Sequence, residues 1–172
     1  PEKEAIGRAS ATQIEPNQSV IVDAGTTAYH VARQLEPKTP QIITNSLPVA
    51  NHYNAATQVE VLVSGGVIYP RLGVLVGPHA VETFSKVRVD VAIMSAGGIT
   101  LDGIMNSHAL LVDIQRAMIR AAQRVIFCLD HTKFGRQSVS LLCSLSEVDL
   151  IVTDRHVPSE FASALDASEI KL

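Results

Sequence analysis

The sequence predicts an α/β fold, a three-layer, Rossmann-like domain in which a mostly parallel open sheet carries helices on both faces. Short apolar segments alternate with amphipathic segments along the whole chain, as expected for repeated strand–helix units. The apolar segments are nearly continuous runs of Val and Ile, which are typical of parallel strands buried on both faces. A length of 172 residues, with 47% hydrophobic and only 4% aromatic residues, suits a single domain with an aliphatic core.

The helices are predicted from apolar residues that recur at helical spacing or from a proline suited to a first turn. The segments are residues 2–14, 28–35, 79–85 and 113–122, with further helices that begin near Pro48 and Pro158. The apolar faces are clearest in three of them: Ile6, Ala9 and Ile14; Ala28, Val31, Ala32 and Leu35; Ile114, Ala117, Met118 and Ala121.

The strands are predicted at residues 19–22, 41–43, 59–63, 89–94, 125–129 and 149–152, each between two helical segments or close to one. Each is short, rich in Val and Ile and bounded by turn-forming residues. Because crossovers between parallel strands are right-handed, the helices that connect them cover both faces of the sheet.

Small polar or glycine-rich loops follow all six predicted strands. They are Asp23-Ala24-Gly25-Thr26-Thr27, Thr44-Asn45-Ser46, Ser64-Gly65-Gly66, Ser95-Ala96-Gly97-Gly98, Asp130-His131-Thr132-Lys133 and Thr153-Asp154. Ligands of open parallel sheets bind beyond the carboxyl ends of the strands. We therefore expect the loops to converge on one crevice, and their coincidence is a stronger signal than any single loop.

The first loop is the best candidate for binding an anion. Asp23 ends the strand, and Gly25 lets the backbone turn and come close to a ligand. Thr26 and Thr27 lie at a helix start, where free N–H groups and two hydroxyls favour a phosphate. The alternative is that one of these threonines only caps the helix.

The other loops offer groups suited to a sugar, each with a plainer alternative. Thr44-Asn45-Ser46 could bind a polyol or cap a helix, and Gly65-Gly66 and Gly97-Gly98 could admit a ligand to the backbone or simply form turns. Lys133 could pair with a phosphate or sugar oxygen, or be a solvated lysine. Asp130 could orient Lys133 or bind a hydroxyl.

Composition excludes several classes of function. The net charge of −3 and the lack of a Lys or Arg cluster argue against duplex DNA binding by this chain. No histidine pair has metal-ligand spacing, so we predict no metal, and we predict no cofactor. Cys128 and Cys143 lie in apolar stretches, as buried thiols do in the reducing cytoplasm. No apolar run approaches the length of a membrane span, and the chain has no Walker or Gly-x-Ser-x-Gly sequence.

Taken in order, several motifs resemble the C-terminal sensor domain of DeoR-family transcription regulators. They are Glu2-Lys3-Glu4-Ala5-Ile6, the Asp23 and Thr44 loops with Leu47-Pro48-Val49-Ala50, Ser64-Gly65-Gly66, Arg116-Ala117-Met118-Ile119 and the run from Asp130 to Gly135. The resemblance covers residues 2–154, nearly the whole chain. It implies a fold similar to ribose-5-phosphate isomerase, glucosamine-6-phosphate deaminase and the CoA transferases.

The resemblance also implies a function and partners. A phosphorylated sugar is the expected effector, with its phosphate at Gly25-Thr26-Thr27 and its sugar lined by the Thr44 loop, the two Gly-Gly loops and Lys133. Operator DNA is expected to bind only through an N-terminal helix-turn-helix part, which we expect to be absent from a chain that opens at Pro1. The resemblance suggests a cytoplasmic homo-oligomer without a membrane partner.

One departure from the family separates a sensor from an enzyme. Related isomerases and many family members carry a glutamate where this chain has Ala109-Leu110-Leu111, and a lysine where it has Gln115. A sugar-phosphate isomerase or deaminase, the alternative function, needs a carboxylate base at the substrate, and Asp113 is the nearest acid. Asn106 and His108 could replace that glutamate, but we interpret both as part of a surface loop.

Overall fold

The computed structural model describes residues 1–36, 38, 41–56 and 58–167. Its helices are α1 (Glu2–Ala11), α2 (Thr26–Ala32), α3 (Leu47–Tyr53), α4 (Pro78–Ser85), α5 (Ala109–Ala121) and α6 (Ser159–Ala167). Its strands are β1 (Ser19–Val22), β2 (Gln41–Thr44), β3 (Glu60–Val63), β4 (Val67–Tyr69), β5 (Val74–Val76), β6 (Val89–Met94), β7 (Gly98–Thr100), β8 (Gly103–Asn106), β9 (Ala122–Cys128), β10 (Ser140–Cys143) and β11 (Leu150–Val152).

The central sheet has six parallel strands in the order β3-β2-β1-β6-β9-β11. The chain runs outward from β1 through β2 to β3, then returns to the other side of β1 and continues through β6, β9 and β11. The direction of winding therefore reverses between β1 and β6, whose registers pair Val20 with Val91 and Val22 with Ile93. In doubly wound folds this switch point leaves a crevice at the carboxyl ends of the two strands.

Alternating side chains divide the core between the two faces of the sheet. Val20 and Val22 pack with α1, α2 and α3 on one face, whereas Ile21, between them, packs with α4, α5 and α6 on the other. Both clusters are mostly aliphatic and are fully buried at their centres, and the second also contains Phe84, Phe127 and Phe161. The predicted three-layer, mostly parallel α/β fold is confirmed.

Two antiparallel elements were not predicted from the sequence. β4 pairs with β5 as a hairpin, and β7, β8 and β10 form a small sheet in the order β10-β8-β7. These strands have only three or four residues each, too few to show a clear alternating pattern. A signal was nevertheless present, because Asp102-Gly103 lies at the β7–β8 turn and Gly103 has a φ of 143°.

Some element boundaries also differ from the predictions. α1 ends at Ala11, three residues before the predicted limit at Ile14. α5 begins at Ala109, four residues before the predicted start at Asp113. The prediction began too late because Leu110, in the first turn, is exposed and does not fit the apolar face that is clear after Asp113. Among the described helices, none is long and apolar enough to span a bilayer.

Candidate functional site

A cavity of about 340 Å³ opens at the switch point between β1 and β6. Residues after β1 and β6 form its floor, and the segment between β4 and β5, the end of β8 and the start of α5 form its walls. The lining residues are Asp23, Ala24, Gly25, Thr26, Arg71, Leu72, Val74, Ser95, Ala96, Gly97, Asn106, His108, Leu111 and Gln115.

A chain of hydrogen bonds fixes the polar floor of this cavity. Gln115, on α5, donates from Nε2 to Asp23 Oδ2 at 2.6 Å and to the Ser95 carbonyl at 2.9 Å. Asn106 donates from Nδ2 to Gln115 Oε1 at 2.6 Å and accepts from the His108 amide at 3.3 Å. Because each amide is held on both its oxygen and its nitrogen, the floor is preorganised before any ligand arrives.

Asp23 is the only described residue lining the cavity that carries a carboxyl group. It is buried, and its oxygens accept from the Ala24 amide at 2.7 Å, the Ser95 amide at 3.0 Å and Gln115. Burial raises the pKa of Asp23, while these three hydrogen bonds oppose the rise. The carboxyl group still lines the cavity and can accept a hydrogen bond from a ligand hydroxyl.

Gly25 and Ser95 bring the loops after β1 and β6 into contact. A Cβ atom at Gly25 would lie 2.0 Å from Ser95 Oγ, so only glycine fits at this position. The backbone φ of Gly25 is −73°, an ordinary value, and its requirement is therefore for space. Ser95 Oγ is enclosed and has no hydrogen-bond partner in the described part of the chain, so a ligand in the cavity would find a free hydroxyl there.

The two threonines of the first loop have different surroundings. Thr26 is exposed, lines the cavity, and its Oγ1 accepts from Lys3 Nζ at 2.7 Å. Thr27 is 6% exposed and does not line the cavity. Neither hydroxyl caps α2, whose N-cap residue is Gly25. Of the two predicted anion-binding hydroxyls, Thr26 is the one that the structure presents to the cavity.

Arg71 and His108 bring cationic or ionisable side chains to the lining of the cavity. Arg71 lies between β4 and β5 beside Leu72, and His108 immediately precedes α5. Leu72 and Leu111 make the remaining walls largely apolar. The cavity therefore joins a hydrogen-bonding floor to apolar walls, as small-molecule sites commonly do.

The loop after β2 does not line this cavity. Thr44 Oγ1 donates to the Val22 carbonyl at 2.7 Å and accepts from the Ser46 amide at 3.0 Å. Asn45 donates from Nδ2 to the Leu75 carbonyl at 3.1 Å, although its buried Oδ1 has no partner among the described residues. Ser46 Oγ accepts from the Val49 amide and caps α3. These groups connect β2 to the β4–β5 hairpin.

The two Gly-Gly pairs divide in a similar way. Gly66 has a φ of 127°, and a Cβ there would lie 2.5 Å from the Val76 carbonyl oxygen; Gly65 lies against His79. Gly97 lines the cavity, but a Cβ at Gly98 would lie 1.9 Å from the Arg136 carbonyl oxygen. Three of the four glycines therefore accommodate other parts of the chain, and Gly97 alone among them borders the cavity.

Asp130 and Lys133 are not among the residues that line the cavity. Asp130 caps the short 3-10 helix His131–Lys133, accepting from the Thr132 amide at 3.0 Å and from its hydroxyl. Burial lowers the pKa of Lys133; Asp130 opposes this shift, while the nearby charges of Arg136 and Lys3 reinforce it. Lys133 thus lies within electrostatic range of Lys3, the residue that contacts Thr26.

Comparisons with known proteins show the family to which this chain belongs. The family model for the DeoR C terminal sensor domain matches residues 1–155. The chain belongs to this family. It is 33% identical over 171 residues to the HTH-type transcriptional repressor GlcR of Bacillus subtilis, covering 99% of this chain and 66% of GlcR. It is 32% identical over 173 residues to the glycerol-3-phosphate regulon repressor of Escherichia coli, covering 99% of this chain and 69% of the relative. The sensor domain thus spans about two thirds of each relative.

Solved structures share the fold of this sensor domain at low sequence identity. The eIF2B delta structure from Chaetomium thermophilum has a TM-score of 0.62 and 15% identity, covering 90% of the sensor domain and 56% of that chain. Ribose 5-phosphate isomerase A from Methanocaldococcus jannaschii has a TM-score of 0.53 and 12% identity, covering 77% and 53%. The predicted similarity in fold to ribose-5-phosphate isomerase is confirmed. The prediction of a sensor domain is also confirmed, because the family model is that of a sensor domain and the relatives are named as repressors.

Glu2, His131 and Asp154 place three possible metal ligands within 4.8 Å of one another in this sensor domain. Asp154 Oδ2 already contacts His131 Nδ1 at 2.8 Å, and Glu2 accepts from Arg155 at 3.0 Å. Burial acts to raise the pKa of Asp154, but hydrogen bonds from His131 outweigh it, so the pKa is lowered. The cluster is satisfied as an ion-pair network that ties the start of α1 to the loop after β11.

Sequence reasoning missed several residues of the cavity in the sensor domain. Asn106 is 7% exposed at the end of β8, so its interpretation as part of a surface loop is wrong. From the sequence, Gln115 stands out only as a departure from the family's lysine and His108 only as a substitute for its glutamate. No sequence pattern points to Arg71, although all three residues line the cavity. The signals available were the position of Gln115 on the inner face of a helix, and an Asp-Gly turn that brings Asn106 back to the sheet.

Proposed function

We propose that this sensor domain binds a phosphorylated sugar or related polyol phosphate in the cavity between β1 and β6. Binding would control the DNA affinity of a regulator that contains the domain. The observation that carries the proposal is the cavity itself, which combines a fixed hydrogen-bonding floor with a hydroxyl and cations at one edge. The polar floor suits the hydroxyl groups of such a molecule, and the cationic edge suits its phosphate group.

The floor suits a ligand rich in hydroxyl groups. Asp23 offers carboxylate oxygens as acceptors, and the enclosed Ser95 hydroxyl has no partner in the described part of the chain. A ligand hydroxyl can donate to one and accept from the other, which satisfies buried polar groups that otherwise cost free energy. Asn106 and Gln115 hold this arrangement in place.

The cationic edge suits a phosphate group. Gly25 and Thr26 line the cavity there, Lys3 contacts Thr26, and Lys133 lies within electrostatic range of Lys3. A phosphate has several strong acceptor oxygens, and charge-assisted hydrogen bonds from hydroxyl, amide and ammonium donors favour it. The remaining predicted residues play supporting roles in this proposal, because their polar atoms or small size maintain the loops around the cavity: Thr27, Thr44, Asn45, Ser46, Gly65, Gly66, Gly97, Gly98 and Asp130.

The relatives support the proposed ligand class. One is named for a glycerol-3-phosphate regulon and another, from Escherichia coli, is an L-fucose operon activator. A bound effector can shift a regulator between states only if the two states bind it with different affinity. Operator DNA is expected to contact another part of the regulator, since this chain has a net charge of −3.

A homo-oligomer in the cytoplasm completes the proposal. Val67 and Ile68 of β4 and Val63 of the edge strand β3 are exposed apolar side chains, which suit a contact with a second copy. Cys128 and Cys143 are buried thiols whose pKa burial raises to about 12, so both stay protonated and unreactive at neutral pH.

A thermal-shift screen tests the proposed function. Glycerol 3-phosphate, ribose 5-phosphate and glucosamine 6-phosphate are compared with the same compounds without phosphate. A compound that binds only the folded domain raises its melting temperature. At a ligand concentration of a hundred times Kd, the free energy of unfolding rises by about 2.7 kcal/mol. We expect at least one phosphate to stabilise and its unphosphorylated partner to have little effect.

Two outcomes would contradict this function. Equal stabilisation by phosphorylated and unphosphorylated compounds would show that the domain does not recognise the phosphate group. Turnover of ribose 5-phosphate or glucosamine 6-phosphate at more than about 1 s⁻¹, a modest enzymatic rate, would restore the isomerase or deaminase alternative. Turnover is not expected, because Asp23 is the only described carboxyl group that lines the cavity and three donors already hold it.

A further inference from the structure

Lys3, in the first turn of α1, contacts the edge of the cavity. Its Nζ atom donates to Thr26 Oγ1 at 2.7 Å, across 23 positions of the chain. We propose that Lys3 is a ligand for the phosphate group of the effector, so that α1 contributes directly to the site. The inference rests on the proposed function and adds a residue to the loop from Gly25 and to Lys133.

Lys3, which contacts Thr26, lies within electrostatic range of a second cation, Lys133, which also interacts with Arg136. Lys3 and Arg136 both act electrostatically on Lys133, although they come from α1 and from the loop after the 3-10 helix, and Asp130 compensates part of this positive charge. None of the three forms an ion pair with a carboxylate in the described part of the chain. Like charges held together repel one another, and an anion placed among them relieves that repulsion. A phosphate monoester, with nearly two negative charges at neutral pH, suits this environment.

The contact between Lys3 and Thr26 leaves both groups able to bind an anion. Thr26 Oγ1 accepts in this hydrogen bond, so its own proton remains available for a phosphate oxygen. An ammonium group has three N–H donors, and Thr26 uses one of them. A phosphate beside Thr26 can therefore receive hydrogen bonds from both side chains without disruption of their contact.

A purely structural role explains the arrangement less well. The hydrogen bond from Lys3 to Thr26 is exposed to solvent, and exposed polar contacts of flexible side chains contribute little to folding. α1 is already anchored by the burial of Ile6 and Ala11 against α2 and the sheet. The contact of Lys3 with Thr26 is thus not required to hold the helix, and binding of a phosphate at the cavity edge accounts for its position better.

The test compares three variants of the chain by titration calorimetry. Lys3→Met keeps an unbranched side chain and removes the charge, Lys3→Arg keeps the charge, and Lys86→Met removes one charge far from the site. Lys86 is exposed on the surface and pairs with Glu82 of α4. The probes are glycerol 3-phosphate, ribose 5-phosphate and glucosamine 6-phosphate, each with its unphosphorylated partner, and melting curves check folding.

We expect Lys3→Met to weaken binding of the phosphorylated probe about tenfold to a hundredfold, the scale of one charged hydrogen bond. Lys3→Arg should stay within about threefold of the unchanged chain because it keeps the positive charge, and Lys86→Met should bind as the unchanged chain does. Melting temperatures should be nearly equal in all four proteins.

Distinct results would overturn the inference and the function beneath it. If the unchanged chain binds a phosphorylated probe and Lys3→Met binds it equally well, Lys3 is not a phosphate ligand and the proposed function stands. If Lys86→Met weakens binding as much as Lys3→Met, the effect is one of overall charge and the inference fails. If the unchanged chain binds none of the probes, the proposed function fails and the inference with it.

Discussion

The loops after β1 and β2 are both short polar segments at the carboxyl ends of neighbouring parallel strands. The first presents Thr26 and the Asp23 carboxyl group to the cavity, whereas the second uses Thr44, Asn45 and Ser46 to hold the backbone around it. The two loops are similar in length and polarity, and the main difference between them is which other segments of the chain lie next to them. The β4–β5 hairpin covers the end of β2, while the switch point leaves the end of β1 open.

The contrast shows that a polar loop at a strand end has two possible uses, ligand binding or internal support. Which use applies depends on whether another segment of the chain occupies the space beyond the strand. The loop after β6 contains both uses in adjacent residues, since Gly97 borders the cavity and Gly98 meets the Arg136 carbonyl. Variants that separate stability from ligand affinity therefore test the comparison directly.

The largest effect is expected at Gly98. In Gly98→Ala the new Cβ would lie 1.9 Å from the backbone oxygen of Arg136, which cannot move without displacing the loop. We expect a loss of about 3 kcal/mol in the free energy of unfolding, at the upper end of overpacking effects. Urea denaturation measures it. Gly97→Ala is the matched control, because its Cβ would come within 3.0 Å of the movable Ser138 hydroxyl but no nearer than 3.4 Å to the backbone. Equal stability of the two variants would break the distinction between the glycines.

A smaller, pH-dependent effect is expected at Gln115. Gln115→Leu removes the donor to Asp23, and because that donor lowers the pKa of Asp23, its loss raises the pKa further. A carboxyl group whose pKa is raised by folding favours the native state below its unfolded pKa and loses that contribution as pH rises through the folded pKa. The variant should therefore be destabilised by about 2 kcal/mol at pH 8 and less at pH 5.

Chemical denaturation of the unchanged chain and Gln115→Leu at pH 5 and pH 8 gives the two differences. Gln13→Leu is a suitable control, since Gln13 is a glutamine at the other end of the sheet that contacts Arg124. A destabilisation by Gln115→Leu that shrinks from pH 5 to pH 8 would show that Gln115 does not stabilise the Asp23 carboxylate.

The smallest effects, about 1.5 kcal/mol each, should appear in different measurements for Thr44 and Thr26. Thr44→Val loses a buried hydroxyl that bonds the Val22 carbonyl and the Ser46 amide, so stability should fall while affinity for the phosphorylated probe stays constant. Thr26→Val loses an exposed hydroxyl at the cavity, so affinity should fall roughly tenfold with little change in stability. Calorimetry and melting curves of both variants are compared; the reverse pattern would exchange the roles of the two loops.

The central fold was predictable because its signals are local and repeated. Strands such as Val89–Met94 are continuous apolar runs, and helices such as α2 show a clear apolar face, so their alternation indicates a parallel sheet. The antiparallel strands depend on contacts between distant residues. β10 pairs with β8 more than thirty positions earlier, which no local pattern of Ser140 to Cys143 reveals.

The candidate site was predictable only in part, for a related reason. Asp23, Gly25, Thr26 and Gly97 follow predicted strands, and their position at the carboxyl ends of a parallel sheet could be inferred from the sequence. Arg71 reaches the cavity from the segment between β4 and β5, and Asn106 from the end of β8, both elements that the sequence did not disclose. Which loops are covered by other segments is a tertiary property, and it separated Thr44 from Thr26.

The start of α1 is attached to the sheet at two separated points. Lys3 contacts Thr26 beyond the central strand β1, and Glu2 contacts Arg155 beyond the edge strand β11. Both contacts are made by the first two residues of α1. Any segment that precedes Glu2 in a longer regulator would therefore join the sensor domain one residue away from the side chain that contacts the cavity edge.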